Sequence, residues 1–350
     1  MSGAERSEAA VVIGRFRFLH RGHLAVMLRG LALARRLIVI VGSCDEARTP
    51  RTPLTFLEVR EMIEGALGSA ERGKVTMAGV IDHGDRARRK RAIEAAVAGA
   101  SGGAGRILRV GRGQDFSGDS GYDFPQWARA EVAAVEGLSA QVIREAYFID
   151  AGRTLEEWAG AMPRNVVAFL SEFATRDIYA ELAAEAANLR EWRRDWAATP
   201  YPPIFVTVDA VVVARQHVLL VERGRRPGKG LWALPGGFVE SGEPIRTAML
   251  RELAEETGIR VSEAVVAGAV RAVRVFDDPW RSARGRIVTH AFLVMLPEAC
   301  GIPAVAGSDD AARAFWQPLG EIERVRMYED HAEIIETMLG AAEQSREGRE

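Results

Sequence analysis

Residues 237–259 read GFVESGEPIRTAMLRELAEETGI, and the spacing inside this stretch decides how the second half of the chain folds. Pro244 suits a helix start, where an N–H would go unpaired, and Gly258 suits a left-handed stop, so one helix is expected over residues 245–257. On it Glu252, Glu255 and Glu256 stand at i, i+3 and i+4. That spacing gathers three carboxylates on one face while Leu250, Leu253 and Ala254 supply the buried side. Like charges at this spacing repel, and a merely solvated helix would mix its signs. A hard divalent cation, Mg²⁺ or Mn²⁺, taking carboxylate oxygens is the natural compensation. Arg251 can reach Glu255 at i+4 and hold it. Just upstream, residues 227–238 read PGKGLWALPGGF: the glycines let backbone approach a ligand, Lys229 is a candidate phosphate contact, and Trp232 reads as a core residue.

At 350 residues the chain exceeds one ordinary core, so two domains with a connector are expected. A net charge of −2 with 48% hydrophobic residues lacks the basic excess of a nucleic-acid binder. Cys44 and Cys300 are the two cysteines and lie far apart in sequence, which excludes a disulfide framework and fits a reducing, cytoplasmic compartment. The opening MSGAERSEAA carries no long apolar run and the apolar stretches elsewhere are strand-length, so neither a signal peptide nor a membrane span is expected.

The first half alternates strand and helix. Strands are expected at 9–13, 37–41, 75–80 and 107–110, with helices at 24–34, 57–67 and 91–98, the pattern of a doubly wound parallel sheet. Ligands in such sheets bind at the carboxyl ends of the strands, where the Gly14 loop falls. Residues 154–198 have helical spacing, and TPYPPIF at 199–205 ends them and opens a β-rich domain with strands at 206–214, 218–221, 264–275 and 287–296. The expected division is a nucleotide-binding domain at 1–150, a helical connector at 151–199, a catalytic domain at 200–340 and a polar tail at 341–350.

Between the first strand and first helix stands GRFRFLHRGH, residues 14–23, containing His20-x-Gly22-His23. Two imidazoles beside a helix N-terminus form a cradle for a triphosphate. Ser139 opening a later helix, with Arg144 in its first turns, offers a second phosphate site. The basic run at residues 86–91 reads as a solvated face, with a phosphate-rich acceptor or a nucleic acid as sharper alternatives.

Together these motifs resemble the family that joins a nicotinamide-mononucleotide adenylyltransferase to a Nudix hydrolase, over residues 11–319. Residues 237–259 match its Nudix box, a metal site for cleaving diphosphate bonds. The resemblance implies an α/β chain: an N-terminal doubly wound, Rossmann-like nucleotidyltransferase domain of the HxGH class and a C-terminal α/β/α Nudix domain. By that likeness Gly14, Arg15, Phe16, Gly42, Ser43, Arg51 and Ser139 bind ATP, and His20, His23 and Arg144 stabilise the transition state. Gly237, Glu252, Glu255 and Glu256 hold Mg²⁺ or Mn²⁺, and Asp309 or Asp310 is a candidate general base. The attacking phosphate is already an anion and needs no base, so adenylyl transfer can rest on positioning and charge neutralisation.

The likeness has departures. Arg17-Phe18-Leu19 stands where Gln-Pro-Phe is usual, and Gln141 where Thr is. Residues 82–89, DHGDRARR, lack the aromatic that holds the pyridine ring, and GRGQD at 111–115 replaces Gly-His-x-Lys-Asp. In the second half PYPPIFVTVDAVV at 200–212 matches closely, and DPWRSARGR at 278–286 is similar to a signature of the ADP-ribose-cleaving branch. The implied function is adenylyl transfer from ATP to nicotinamide or nicotinate mononucleotide, plus hydrolysis of ADP-ribose or a related nucleoside diphosphate derivative. The alternative is an active hydrolase fused to a first domain that is degenerate, regulatory or specific for another phosphorylated acceptor. Implied partners are small nucleotides, without membrane or nucleic acid, and a homo-oligomer is left open.

Overall fold

The computed structural model describes residues 6–103, 105–115, 124–135, 137–308 and 311–347, and the chain divides into two compact units, Met1–Ala186 and Ala187–Glu350. The first unit holds strands β1 (Ser7–Gly14), β2 (Ala34–Val41), β3 (Val75–Gly79), β4 (Ile107–Gly111) and β5 (Ala128–Glu131) in one sheet ordered β3-β2-β1-β4-β5. All four pairings are parallel. The order reverses beside β1, so the carboxyl ends of β1 and β4 flank the crevice where doubly wound sheets bind ligands. Its helices are α1 (Arg21–Leu33), α2 (Phe56–Ala66), α3 (Ser69–Arg72), α4 (Arg86–Ser101), α5 (Ala140–Tyr147), α6 (Ala151–Trp158) and α7 (Arg164–Phe173), and α8 (Asp177–Trp196) leads into the second unit.

Alternation along the strands divides the core between the two faces. Ala10, Val12, Val39 and Val41 pack with Met27 of α1 and Met62 of α2, whereas Ala9, Val11, Ile38 and Ile40 pack with Ile93 and Val97 of α4. The expected connector is part of the first core: Met162, Val166, Leu170 and Phe173 are buried in the α1/α2 cluster, and the Tyr147 hydroxyl donates to the Leu170 carbonyl at 2.7 Å. Its helices bury apolar stripes that the sheet and α2 leave open, so they close the unit.

In the second unit β6 (Ile204–Ala214), β7 (His217–Arg223), β8 (Trp232–Ala233), β9 (Gly236–Phe238), β10 (Val270–Phe276), β11 (Arg286–Met295) and β12 (Ala311–Pro318) form a mixed sheet, with β6 and β11 parallel. The helices are α9 (Ile245–Thr257), α10 (Glu263–Gly268) and α11 (His331–Glu347). Val208, Ala210 and Val212 of β6 face Ala248, Met249 and Leu253 of α9, and Val211 and Val213 face Ile334, Ile335 and Met338 of α11. That is the expected α/β/α layering. Helix α9 has the expected bounds, capped at Pro244 and stopped by Gly258 at φ 49°.

Two local expectations are corrected. The strand expected over 264–275 is α10 followed by β10, because Ser262 sits at an N-cap position and the EAVVAG run closes a short helix before the strand begins. Helix α11 runs to Glu347, into the expected tail, whose Ala, Glu, Gln and Arg residues favour helix. A fragment ending at residue 150 uncovers Ile143 and Tyr147, so it is expected to melt without a cooperative transition. One ending at 186 should unfold cooperatively, as circular dichroism melts would show.

Candidate active sites of the two units

In the first unit the motif residues sit on loops at the carboxyl ends of the strands. Gly14 ends β1 with the Phe16 ring against it: a Cβ at Gly14 would lie 2.6 Å from that ring, and Phe16 itself holds φ 51°. Only glycine admits that approach. Arg15 donates to Asp82 Oδ2 from both Nε (3.0 Å) and the terminal nitrogen (2.7 Å), and Nε also reaches Ser43 Oγ at 3.0 Å. Ser43 in turn donates to Asp82 at 2.6 Å. Asp82 is thereby held below the ordinary carboxylate range by Arg15 and Ser43, against the opposing effect of burial. Arg17 lies beneath, donating to the carbonyls of Arg15 (3.1 Å), Gly42 (3.1 Å) and Ser43 (2.6 Å). This departure from the family pattern ties the β1 loop to the β2 loop.

His20 is the N-cap of α1, its Nδ1 accepting from the Gly22 N–H at 3.1 Å, and it stacks on His23 with centroids 3.8 Å apart. His23 Nδ1 accepts from the His20 N–H at 3.4 Å. Burial, helped by the charge of Arg112, pushes His20 down to about 4 and His23 well below its ordinary value. Both rings are therefore neutral at pH 7, and with each Nδ1 accepting, each carries its proton on Nε2. They present N–H donors, not cations. The nearby positive charge is Arg112, at the end of β4, in the segment that departs from the family pattern. Ser139 caps α5 through the Val142 N–H at 3.5 Å, and Arg144 of that helix donates to the Arg51 carbonyl at 3.4 Å. The motif residues thus gather as three sets: Arg15, Ser43 and Asp82; His20, His23 and Arg112; Arg51 and Arg144.

A cavity of about 420 Å³ opens at the ends of β2 and β3, lined by Cys44, Phe56, Ile81 and His83 among others. Arg89 donates to the His83 carbonyl at 2.5 Å. Phe124 and Trp127 stack on each other at 4.2 Å, both buried with α4 in the core, and the Arg109 guanidinium lies 5.3 Å from the Phe124 centroid.

In the second unit β9 lies against the acidic face of α9. A Cβ on Gly236 would stand 2.1 Å from the Val208 carbonyl, so that position requires glycine, and one on Gly237 would stand 2.4 Å from Glu252 Oε1 and displace that carboxylate. Glu256 is buried and accepts from the Gly236 N–H at 3.0 Å. Burial, augmented by Glu252, pushes its carboxyl up to about 8. Arg251 donates to Glu243 (2.7 Å), Glu252 (2.9 Å) and Glu255 (2.9 Å), drawing Glu252 and Glu255 to itself. Among the described residues no three His, Cys, Asp or Glu side chains form a ready metal-binding group. Even so, the donors fit a hard cation: a buried carboxyl facing a second carboxylate, across glycines that leave their oxygens uncovered, is relieved by positive charge.

Two groups at this site carried no assignment from sequence. Asp209 of β6 is buried, accepts from Thr289 Oγ1 at 2.5 Å, and has its carboxyl pushed up by burial. Arg223 of β7 acts electrostatically on both Asp209 and Glu256. The available signal was a charged residue inside the apolar run VTVDAVVVA. Residues 306–308 dock on the end of α9, Ala306 N–H donating to the Thr257 carbonyl at 2.9 Å and Ser308 N–H to the Glu256 backbone carbonyl at 3.3 Å. Asp309 and Asp310 lie outside the described residues. Lys229 is exposed, and Trp232 is core, 6% exposed against Phe315.

A family model described as Cytidylyltransferase-like matches residues 11–101, and one described as NUDIX domain matches 203–338. The chain is 35% identical over 130 residues to an ADP-ribose pyrophosphatase of Methanocaldococcus jannaschii, covering 37% of this chain and 70% of that protein. It is 28% identical over 192 residues to a nicotinamide/nicotinic acid mononucleotide adenylyltransferase of Acinetobacter baylyi, covering 51% of this chain and 96% of that one. Both likenesses meet in one solved structure, a bifunctional NMN adenylyltransferase/ADP ribose pyrophosphatase of Francisella tularensis complexed with AMP and Mn ion. It is 32% identical, spans 96% of this chain and 99% of its own, and superposes with a TM-score of 0.88. With the first motif at the β1–α1 turn, the second on β9 and α9, and the match running through both units, this chain belongs to the family of bifunctional NMN adenylyltransferases/ADP-ribose pyrophosphatases.

Proposed function

We propose that the first unit transfers the adenylyl group of ATP to nicotinamide or nicotinate mononucleotide, releasing diphosphate, and that the second hydrolyses ADP-ribose to AMP and ribose 5-phosphate with Mg²⁺ or Mn²⁺. The observation that carries the first activity is the neutral His20–His23 pair at the start of α1 with Arg112 beside it. Two N–H donors and a cation match the charge that develops on a triphosphate when its α-phosphorus is attacked. Arg15, Ser43 and the Gly14 and Gly42 loops surround the same strand ends, and Arg144 with Arg51 supplies a further anion contact. The incoming phosphate is itself the nucleophile, so alignment replaces a base.

For the second activity the carrying observation is Glu256 buried beside Glu252 against Gly236 and Gly237. Glu252, Glu256 and the Gly237 backbone would hold the cation, with Glu255 joining as Arg251 yields it. The bound cation lowers the pKa of water and neutralises diphosphate oxygens. Asp310, on the segment that follows Ser308, is the proposed general base.

Glu256→Gln should lower ADP-ribose hydrolysis by about a hundredfold or more while leaving adenylyl transfer intact. His23→Ala should do the reverse, weakening the transition state for adenylyl transfer by about 2–4 kcal/mol. Steady-state assays of both reactions on both variants test this, and parallel losses would refute the division of labour.

Titration of Glu256 gives a pH test. Its folded pKa of about 8 lies above its usual 4.5, so the stability that goes with the protonated carboxyl is complete below 4.5 and is lost as pH rises through 8. Metal-free protein should therefore lose melting temperature across that window. Glu256→Gln should flatten the slope and Mg²⁺ should oppose it, as differential scanning fluorimetry would record.

Acceptor choice is the third expectation. Arg89 stands in the sequence where the family has its ring-stacking aromatic, so about 0.5–1.5 kcal/mol of stacking is missing. The nicotinamide form should show the weaker kcat/KM and the carboxylated nicotinate form the stronger, and a low-micromolar KM for nicotinamide mononucleotide would overturn this.

A further inference from the structure

Strand β9 brings Gly236 and Gly237 to the carboxylate face, and the loop between β10 and β11 carries two arginines at residues 281–284. The first pairs with β6, whereas the second hangs between β10 and β11. They meet through the turn that enters α11, where three consecutive side chains each grip another part of the chain. Glu329 accepts from Ser282 Oγ at 2.8 Å and from the Ala283 N–H at 3.0 Å. The two Asp330 oxygens accept from the Arg281 fork at 2.8 Å each, in a pair whose side chains are 4% (Arg281) and 20% (Asp330) exposed. His331 Nδ1 accepts from the Leu234 N–H at 2.9 Å, and the Tyr328 N–H donates to the Trp232 carbonyl at 2.8 Å. Those two bonds moor the turn to the segment that leads into Gly236.

Glu329 holds φ 43°, a left-handed backbone that a side chain disfavours and that persists where surrounding bonds over-determine it. Glycine would suit that backbone better, so the two bonds from the Glu329 carboxylate to the loop are what offset the strain. The loop in turn reaches the site. The Arg284 guanidinium lies 5.2 Å from the centroid of Phe238, the residue after Gly237, on a ring that also stacks on Trp192 at 5.9 Å. Arg281 acts electrostatically on Asp209, whose Oδ1 would stand 2.9 Å from a Cβ on Gly236. We infer that Glu329, Asp330 and His331 are positioning residues of the hydrolase, which lock the arginine-bearing loop 281–284 to the Gly236–Gly237 strand so that both sides of the substrate site are set before substrate binds. The inference rests on the hydrolase reading above and adds residues that act through others. A buried, bidentate guanidinium–carboxylate pair fixes direction as well as distance, and a site held in its bound shape loses less entropy on binding.

The test uses the full-length protein with Mg²⁺ and ADP-ribose. Glu329→Gly removes the carboxylate while suiting the backbone, which separates positioning from strain. It should raise the KM for ADP-ribose about tenfold, with kcat and the half-saturating Mg²⁺ concentration within about twofold of wild type. Glu329→Gln keeps an oxygen able to accept both bonds and should return KM to within about twofold of wild type. An unchanged KM in Glu329→Gly, or a Glu329→Gln enzyme equally impaired, overturns the assignment. Limited trypsin digestion gives a readout that needs no turnover. Cleavage of the native protein after Arg281, Arg284 or Arg286, identified by fragment mass, should run about tenfold faster in Glu329→Gly than in wild type or Glu329→Gln. Equal rates refute the hold on the loop. If wild type hydrolyses no ADP-ribose, the hydrolase reading fails, and the digestion alone then decides whether Glu329 locks the loop.

Discussion

Two adjacent residues without side chains, Gly236 and Gly237, let a strand lie directly against a row of carboxylates, and the second unit is organised around that approach. Any Cβ at either position would meet the Glu252 carboxylate or the Val208 carbonyl well inside contact distance. The close fit buries Glu256, and burial of a carboxyl facing another carboxylate is unfavourable in an unaided protein. The fold tolerates it through the Gly236 N–H and through Arg251, whose guanidinium gathers Glu243, Glu252 and Glu255. Helix α9 is in turn fixed by its apolar side on β6, so the carboxylates are presented by a rigid element.

The first unit meets an anionic substrate by different means. A parallel sheet directs its carboxyl ends, with their loops and helix N-termini, to one edge, and that edge is where the donors collect. The two histidines are stripped of charge by burial and by Arg112, which makes them directional donors with defined tautomers. Arg15 is oriented by Asp82 and Ser43, and the substituted Arg17 is absorbed as a brace between two loops. A chain that replaces Gln-Pro-Phe in its motif thereby keeps the β1 and β2 loops together at that edge.

Local pattern was sufficient wherever the physics was local. The bounds of α9 follow from Pro244, Gly258 and the apolar spacing between them. The parallel sheet follows from apolar runs alternating with helical periods, and the carboxylate cluster follows from Glu252, Glu255 and Glu256 on one helical face. The two motifs also sufficed to name the family. Residues 264–275 misled because a short apolar helix and a strand share composition, and only the turn at Ser262 separates them.

Contacts between distant segments lay beyond that reach. Asp209 acts on Glu256, Arg15 meets Asp82, burial with Arg112 beside it discharges two histidines, and residues 162–173 enter the first core, each through packing between elements far apart in sequence. Trp192 joins Phe238 for the same reason. The sequence by itself determined the layering, most of the elements and the charged residues that cluster at the two candidate sites. Tertiary structure alone decided which charges are buried, which are paired and where protons sit, because desolvation and hydrogen bonding depend on neighbours that spacing along a chain does not specify.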